Sequence, residues 1–471
     1  MLKYNLYCRA QWKDQFHRET MQGLCRKYQL SIVFITMHFV VSTKFCRRKF
    51  PFSYLLEMKY SFLVFILAML AKPLLGQDKT SAWLEELIRS KASTFLLNVL
   101  NQPDTFQYQI IYTQINRDKN NEPHLKNYYL HVDKNRYFNP ASMVKLPVAL
   151  IALEKINKLK DKGINKYTPM LTDSGFEKQT IVRSDTLSEN GLPSVAQYVK
   201  KIFLVSDNDA YNRLYEFVGQ KTLNERLWSQ GYKDSRITRR FVTMTEEQNR
   251  HTNPIRFMND GKLLFQQPGA FSDLQFDFSK RILVGNAHYN RDDSLINAPM
   301  DFTTHNNMPL EDLHQILQSV IFPSTVTEKQ RYNITDDDYR FLYQYMSELP
   351  SESKFPHYDT TEYFDSYAKF FLFKAGRLKP PPNIRVFNKT GWSYGYLIDV
   401  AYIVDLKNKV EFMLSAAIYT NKDGILNDNK YEYETVGYPF FKQVGTIIYY
   451  HELMRQKKFK PDLSNFVMEY K

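Results

Sequence analysis

The stretch NPASMVKLPVAL, residues 139–150, places a serine and a lysine at the start of an apolar segment. Ser142 and Lys145 are one helical turn apart, so a helix presents both side chains on one face. The amides of a first helical turn have no partner within the helix, and the helix dipole favours negative charge there. The Ser142 amide is therefore expected to contribute to an oxyanion hole.

The same placement predicts that Lys145 is a neutral amine. Burial and the helix dipole both disfavour the ammonium form, and a neutral amine accepts the proton of a serine hydroxyl. The Ser-x-x-Lys pattern alone is a weak signal, since it recurs at Ser351–Lys354 and Ser366–Lys369, which we interpret as chance matches. Taken alone, Ser142 fits better as a helix cap beside an exposed lysine.

A second motif lies between two predicted helices in FLVSDNDAYNRLYEFVG, where Ser206, Asp207 and Asn208 follow one another. We expect the Ser206 hydroxyl to relay a proton to a leaving nitrogen. We expect Asn208 to bind a substrate amide or to hold Lys145 in place. The alternative is that these three residues only cap a helix, for which their side chains are well suited.

A third motif, Lys389–Thr390–Gly391, ends a β-branched run in IRVFNKTGWSYG, just ahead of a turn. It sets a cation and a hydroxyl beside a glycine, which lets a substrate backbone approach closely. An ordinary hairpin is the alternative interpretation.

Taken together, the three motifs are far more specific than any one of them. Because the three motifs follow one another in this order along the chain, the sequence resembles the serine β-lactamase and penicillin-binding-protein superfamily, and most closely the class A β-lactamases. The resemblance covers roughly residues 80–460 and is clearest over 104–235 and 384–456.

This resemblance implies an acyl-enzyme mechanism without a metal or an organic cofactor. Ser142 would attack a lactam or acyl-peptide carbonyl, and Lys145 would accept its proton. The amides of Ser142 and Trp392 would hold the oxyanion, and Ser206 would pass the proton on.

The resemblance also assigns substrate binding to Asn208, Lys389, Thr390 and Gly391. Lys389 and Thr390 would bind a substrate carboxylate. The Lys389 cation would also help to keep Lys145 neutral, as like charges do. The implied substrate is a small β-lactam or a peptidoglycan-like acyl donor.

One element of class A chemistry, the glutamate that activates the deacylating water, has no clear counterpart in the sequence. Glu246 and Glu247 in TMTEEQNRHTNP are the nearest candidates, although acids in a polar stretch are commonly just solvated. Without a positioned water an acyl-enzyme would persist. A penicillin-binding D,D-peptidase or another acyl-hydrolase on the same scaffold is therefore the alternative to a β-lactamase, and a non-catalytic binding protein is a more distant one.

Hydrophobic periodicity predicts an α+β fold, in which one antiparallel sheet combines strands from both ends of the chain and a helical lobe lies to one side. The long separation of Ser206 from Lys389 indicates an insertion near Phe265–Pro309. The predicted strands are 106–118, 127–138, 396–405 and 409–420, and the predicted helices are 81–100, 142–159, 194–204, 209–217, 310–320 and 438–455.

The formal charge of +13 lies mostly near the N-terminus, where residues 1–57 hold ten Lys or Arg against three acids. The remainder carries no basic stripe with interleaved aromatic residues, which argues against a nucleic-acid partner. All three cysteines, Cys8, Cys25 and Cys46, also precede Met58. The body of the chain therefore has no disulfide, thiolate nucleophile or cysteine-bound zinc.

From Met58 the sequence has the layout of a secretory signal peptide: a short basic start, an apolar run over residues 61–71 and small residues near Gly76. We expect translation to start at Met58, residues 58–76 to be the signal, and residues 77–471 to be an exported, periplasmic or secreted hydrolase domain. Residues 1–57 would then be an extension without a fold of its own. The alternative is a membrane hairpin that pairs the apolar stretch 31–41 with the second run. In the preferred interpretation the membrane is a partner only through an uncleaved signal.

Overall fold

Alternating apolar side chains form the strands of the protein, and the computed structural model describes them over residues 78–470. In chain order the strands are β1 (Gln109–Arg117), β2 (Pro123–Leu130), β3 (Met170–Thr172), β4 (Ile255–Asn259), β5 (Lys262–Gln267), β6 (Leu283–Val284), β7 (Ala287–Tyr289), β8 (Leu295–Ile296), β9 (Met300–Asp301), β10 (Ile384–Ser393), β11 (Tyr396–Asp405), β12 (Val410–Tyr419) and β13 (Ile425–Leu426).

The helices cover both faces of the largest sheet and form a lobe beside it. In chain order they are α1 (Ala82–Lys91), α2 (Thr94–Leu100), α3 (Pro103–Phe106), α4 (Lys145–Asn157), α5 (Val195–Val205), α6 (Asn208–Val218), α7 (Gln220–Gln230), α8 (Glu246–Arg250), α9 (Leu310–Ile321), α10 (Asp336–Ser347) and α11 (Tyr438–Met454). None of these helices in residues 78–470 is both long and apolar enough to cross a membrane.

The largest sheet has five antiparallel strands in the order β10-β11-β12-β1-β2. Side chains along β11 alternate between its two faces, as the strand period of two requires. Val400 and Tyr402 join the core that contains α4, α5, α6 and α9, whereas Ala401 and Ile403 join the core that contains α1, α2 and α11. Both faces of the sheet are therefore covered.

The predicted α+β fold class is confirmed. Strand β1 pairs with β12, with Ile111 opposite Ser415, so the two ends of the described chain share one sheet. The predicted signal peptide and N-terminal extension lie outside the described residues, and those domain boundaries stay predictions.

Two predicted elements near the start were wrong in detail. The single helix over residues 81–100 is two helices, because the Ser93 hydroxyl accepts the Leu96 amide and starts α2 as a new N-cap. The second strand begins earlier than predicted, since the Asp118 carboxylate accepts the amides of Asn120 and Glu122 and tightens the hairpin loop. It ends at Leu130 rather than at 138.

The predicted insertion begins inside β5 and continues through four short strands. Strand β6 pairs with β9, while β7 pairs with β8 and, in parallel, with β13 of the C-terminal part. The insertion thus packs against the loop that follows β12. The hairpin of β4 and β5 and the helices α7 and α10 had not been predicted, because the polar sequence around them masks their periodicity.

A buried ion pair between β1 and β12 provides a test of the sheet. The Glu411 carboxylate accepts the Nε and Nη2 hydrogens of Arg117, both at 2.7 Å, and the Tyr402 hydroxyl at 2.8 Å. Glu411→Ala leaves a buried guanidinium without its partner, so we expect the free energy of unfolding to fall by about 3–5 kcal/mol in urea denaturation. The partly exposed pair Glu85–Arg89 is the control, and Glu85→Ala should cost less than about 1 kcal/mol. Equal losses would contradict this.

Candidate active site

Ser142 lies in a short 3₁₀ turn, Ala141–Val144, that leads directly into α4. The turn begins at Ala141, whose φ of 44° is left-handed, and the Asn139 side chain accepts the Ala141 amide at 2.8 Å. The Ser142 amide is in the first turn, where helical amides have no partner within the helix. The Ser142 residue is partly exposed and borders a cavity.

Lys145 is fully buried at the start of α4. Its Nζ lies 2.8 Å from Ser142 Oγ, 2.7 Å from Asn208 Oδ1 and 2.5 Å from the Ser206 carbonyl oxygen. Burial, together with the neighbouring Lys389 cation, lowers the pKa of Lys145 well below its ordinary value, while Asp207 opposes the shift. The two N–H bonds of a neutral amine match the Asn208 and Ser206 oxygens and leave its lone pair for the Ser142 proton.

The break between α5 and α6 brings Ser206 and Asn208 to this lysine. Ser206 ends α5 in a left-handed conformation, with φ of 60°, and Asp207 caps α6 by accepting the Ala210 amide at 2.8 Å. The capping alternative therefore holds for Asp207. It does not describe Ser206 and Asn208, whose oxygens contact Lys145.

Lys389, on the edge strand β10, contacts the Ser206 hydroxyl. The Ser206 Oγ lies 2.9 Å from Lys389 Nζ and 3.2 Å from Lys145 Nζ, so one hydroxyl lies between two buried amines. Burial lowers the pKa of Lys389 to about 7, and Lys369 adds to this effect while Asp399 opposes it. Such a chain of hydroxyl and amines can pass a proton in either direction.

Gly391 lets β10 approach the turn that carries Ser142. A Cβ at this position would lie 2.8 Å from the Pro140 carbonyl oxygen and 3.1 Å from the Met143 amide nitrogen. The neighbouring Thr390 is fully buried, and its hydroxyl makes no hydrogen bond to any residue that the structure describes.

The hairpin after Gly391 sets the direction of the Trp392 amide. Tyr394 and Gly395, with φ of 52° and 82°, form a two-residue turn of the type I′ kind. Hydrogen bonding alternates along an antiparallel pair, so Ser393 bonds to Tyr396 and the Trp392 amide points away from β11. Because β10 is an edge strand, that amide is available to a ligand.

The site opens into a cavity of about 780 Å³, a size typical of small-molecule sites. Ser142, Ser206 and Asn208 lie at one end. The other walls include three segments that had not been assigned to the site from the sequence. They are residues 239–244, residues 288–291, 300 and 305 of the insertion, and Asn427 beside β13. Tyr367 and residues 392–394 also line the cavity. The insertion is therefore a wall of the site.

The structure does not bring Glu246 and Glu247 to this cavity. Both are exposed on α8, which Thr245 and Gln248 cap, and Glu247 pairs with His251 at 3.1 Å. Their physical role is that of solvated acids at a helix start. The side chains that line the cavity, all within residues 78–470, are neutral or basic.

Sequence reasoning missed Phe241 and Arg239 as site residues. The Phe241 ring centre lies 5.1 Å from Lys145 Nζ, and Arg239 borders the cavity. No local pattern distinguishes these residues from an ordinary loop, because a tertiary contact brings them to the site. Within the described part of the chain, no group of three or more His, Cys, Asp or Glu residues is arranged to hold a metal ion.

Residues 91–265 match the model of the Beta-lactamase enzyme family, over a segment that contains Ser142, Lys145 and the Ser206–Asn208 motif. This segment of the chain is therefore similar to the β-lactamase enzymes. The predicted resemblance to the serine β-lactamase superfamily is thereby confirmed, and a β-lactamase-like hydrolase is the coarse function that it supports. No curated protein matches this β-lactamase-like chain in sequence.

Solved structures similar to this β-lactamase-like protein include a β-lactamase from Xanthomonas campestris pv. campestris str. ATCC 33913, with 13% identity, a TM-score of 0.43 and coverage of 78% of this chain and 98% of that one. PBP-A aligns with 13% identity and a TM-score of 0.41 over 80% of this chain and 98% of its own. A β-lactamase from Sphaerobacter thermophilus DSM 20745 has 14% identity and a TM-score of 0.40 over 76% and 96%.

The two buried lysines provide a pH test of the site. Lys145 must be neutral to accept a proton, so the rate of Ser142 acylation should rise with pH through the pKa of Lys145. The Lys389 cation lowers that pKa, so Lys389→Gln should move the half-maximal pH upward, as followed by intact-mass measurement of acylation. Lys155→Gln, which removes a lysine from the same helix outside the cavity, should leave the profile in place. A downward shift in Lys389→Gln would contradict this role.

Proposed function

We propose that the chain forms an acyl-enzyme on Ser142 by attacking the amide carbonyl of a lactam or of an acyl-peptide. The observation that carries the proposal is the 2.8 Å contact between Ser142 Oγ and the buried Lys145 Nζ. A lysine held in this way, with a depressed pKa, is suited to be a general base.

The proposed step moves one proton and exchanges one bond. Lys145 takes the Ser142 proton as the oxygen attacks the carbonyl carbon, and the amides of Ser142 and Trp392 bind the oxyanion. Collapse of the tetrahedral intermediate breaks the C–N bond. Ser206, which lies between the two amines, delivers a proton to the leaving nitrogen.

Lys389 and Thr390 are proposed to bind a carboxylate of the substrate. The Thr390 hydroxyl is buried without a partner among the described residues, and the Lys389 amine lies next to it in the chain. An acceptor-only group satisfies both of these donors. Asn208, whose carboxamide oxygen contacts Lys145, is proposed to present its NH₂ group to a substrate amide.

Two outcomes after acylation remain as candidates. Hydrolysis of the acyl-enzyme would make the protein a β-lactamase of the class A type, and persistence would make it a penicillin-binding peptidase. The neutral and basic lining of the cavity, within residues 78–470, favours the second candidate, because class A chemistry uses a carboxylate to activate water. We therefore propose a long-lived acyl-enzyme.

The test follows turnover and covalent mass together. Residues 77–471 are mixed with a chromogenic cephalosporin and with benzylpenicillin, and both hydrolysis and the intact protein mass are recorded. We expect one adduct per chain, slow turnover and no adduct in Ser142→Ala. Rapid hydrolysis that depends on Ser142 would instead establish a β-lactamase. Failure to form an adduct with either compound would overturn the proposed reaction with lactams.

We further propose that the protein is exported, on the basis of the signal-like sequence that starts at Met58. Its apolar run is too short for a permanent membrane helix, so cleavage near Gly76 is expected. N-terminal sequencing of the product released by a secreting host measures this directly. A mature N-terminus before residue 58 would contradict it, and the same chain with Leu67→Arg in the apolar run should fail to be exported.

A further inference from the structure

We propose that the cavity contains a second anion subsite, formed by Arg239 and Arg291, which takes a carboxylate on the acyl portion of the substrate. This subsite lies on the wall contributed by residues 239–244 and by the insertion. It is additional to the carboxylate site proposed at Lys389 and Thr390. The inference rests on the proposed acyl-enzyme function, whose substrate class it narrows to acyl donors with two anionic groups.

Two consecutive arginines differ sharply in how their charges are compensated. Arg240 is buried and its Nε donates to the Glu216 carboxylate at 3.0 Å. Arg239 has no carboxylate within ion-pair distance among the described residues, and its Nε is buried without a hydrogen-bond partner there. A partly buried guanidinium without a counter-charge is costly, and an anion in the cavity that Arg239 lines would compensate its charge.

The guanidinium of Arg239 is held in a fixed orientation by the insertion. Its Nη1 donates to His305 Nε2 at 2.8 Å. Burial, together with the Arg239 cation, lowers the pKa of His305 to about 3, so this imidazole is neutral and acts as an acceptor. A neutral partner orients Arg239 without cancelling its charge.

Arg291 adds a second cation from the insertion. It lines the same cavity. Burial is the main effect that lowers the pKa of Arg239, and the Arg291 charge adds a smaller one, while Tyr394 and the more distant Glu246 carboxylate oppose them. The nearest acids in sequence, Asp292 and Asp293, are exposed, and within residues 78–470 neither forms an ion pair with Arg291. The two guanidiniums repel each other, and a carboxylate bound between them would attract both and offset that repulsion.

Two penicillins provide a matched pair of probes, since carbenicillin is benzylpenicillin with an additional carboxylate on the acyl side chain. Isothermal titration calorimetry on the 77–471 protein with Ser142→Ala measures binding without acylation. We expect carbenicillin to bind about tenfold more tightly than benzylpenicillin, which corresponds to about 1.4 kcal/mol. Rising salt should reduce this preference.

Two replacements and one control assign the preference to the subsite. Arg291 is exposed, so Arg291→Gln should retain the fold. Arg239→Gln removes the other guanidinium of the subsite. Each should bring the two affinities to within about twofold of each other. Arg281→Gln, which removes an exposed insertion arginine outside the cavity lining, should keep the tenfold preference.

Equal affinity of both penicillins for the Ser142→Ala protein, absence of carbenicillin binding, or a preference that survives both replacements would overturn the subsite. Failure of the acyl-enzyme proposal has a separate signature. In that case native Ser142 forms no mass adduct with either penicillin, while the carbenicillin preference and its loss in Arg291→Gln are still observed by calorimetry.

Discussion

The structure around the site depends on one constraint, which is the burial of Lys145 without a carboxylate partner. A buried, uncompensated ammonium group costs several kcal/mol, so a fold that keeps this lysine inside keeps it neutral. The surrounding oxygens come from Ser142, Ser206 and Asn208, and none of them carries a formal charge. Lys389 strengthens the effect from the opposite side of Ser206. The same arrangement that lowers the pKa of Lys145 also places its lone pair beside the Ser142 hydroxyl.

This constraint explains why segments so distant in the sequence must meet. The Ser142 turn precedes α4, Ser206 ends α5, and Lys389 lies on the edge strand β10. That strand joins the sheet by pairing with β11, and the β1–β12 pairing links these C-terminal strands to the N-terminal hairpin. Gly391 permits the last step, since a side chain there would collide with the Pro140 carbonyl. Sheet pairing and the glycine together bring two lysines to one hydroxyl, which neither helix packing nor capping alone would do.

Much of the fold and of the site was predictable from local patterns, because motifs at helix ends and strand ends have strong sequence signals. The α5–α6 boundary at Ser206 and the β11–β12 hairpin follow from hydrophobic periodicity. The β-branched run before Lys389 was recognised, but the strand that contains it continues through the motif to Ser393. The cavity walls were not predictable, since residues 239–244 and 288–291 have irregular sequences and reach the site through tertiary contacts. Glu246 and Glu247 illustrate the limit. Their spacing was suggestive, but a capped helix turns both of them to solvent.

The two other Ser-x-x-Lys matches show why spacing alone does not make a nucleophile. Lys354 is exposed, so its amine is solvated by water instead of being held against a hydroxyl. Lys369 is buried and burial lowers its pKa to about 7, yet its Nζ donates to the Met346 and Val386 carbonyls and to Asn388. The Ser366 hydroxyl is buried without a hydrogen-bond partner among the described residues, and Ser366 does not line the cavity. Two of these acceptors, Val386 and Asn388, lie on β10, so Lys369 stabilises the strand that carries Lys389. A reactive serine therefore requires three conditions together: a buried lysine, a direct contact between its amine and the hydroxyl, and a cavity that admits the substrate. In the described chain, Ser142 meets all three of these conditions.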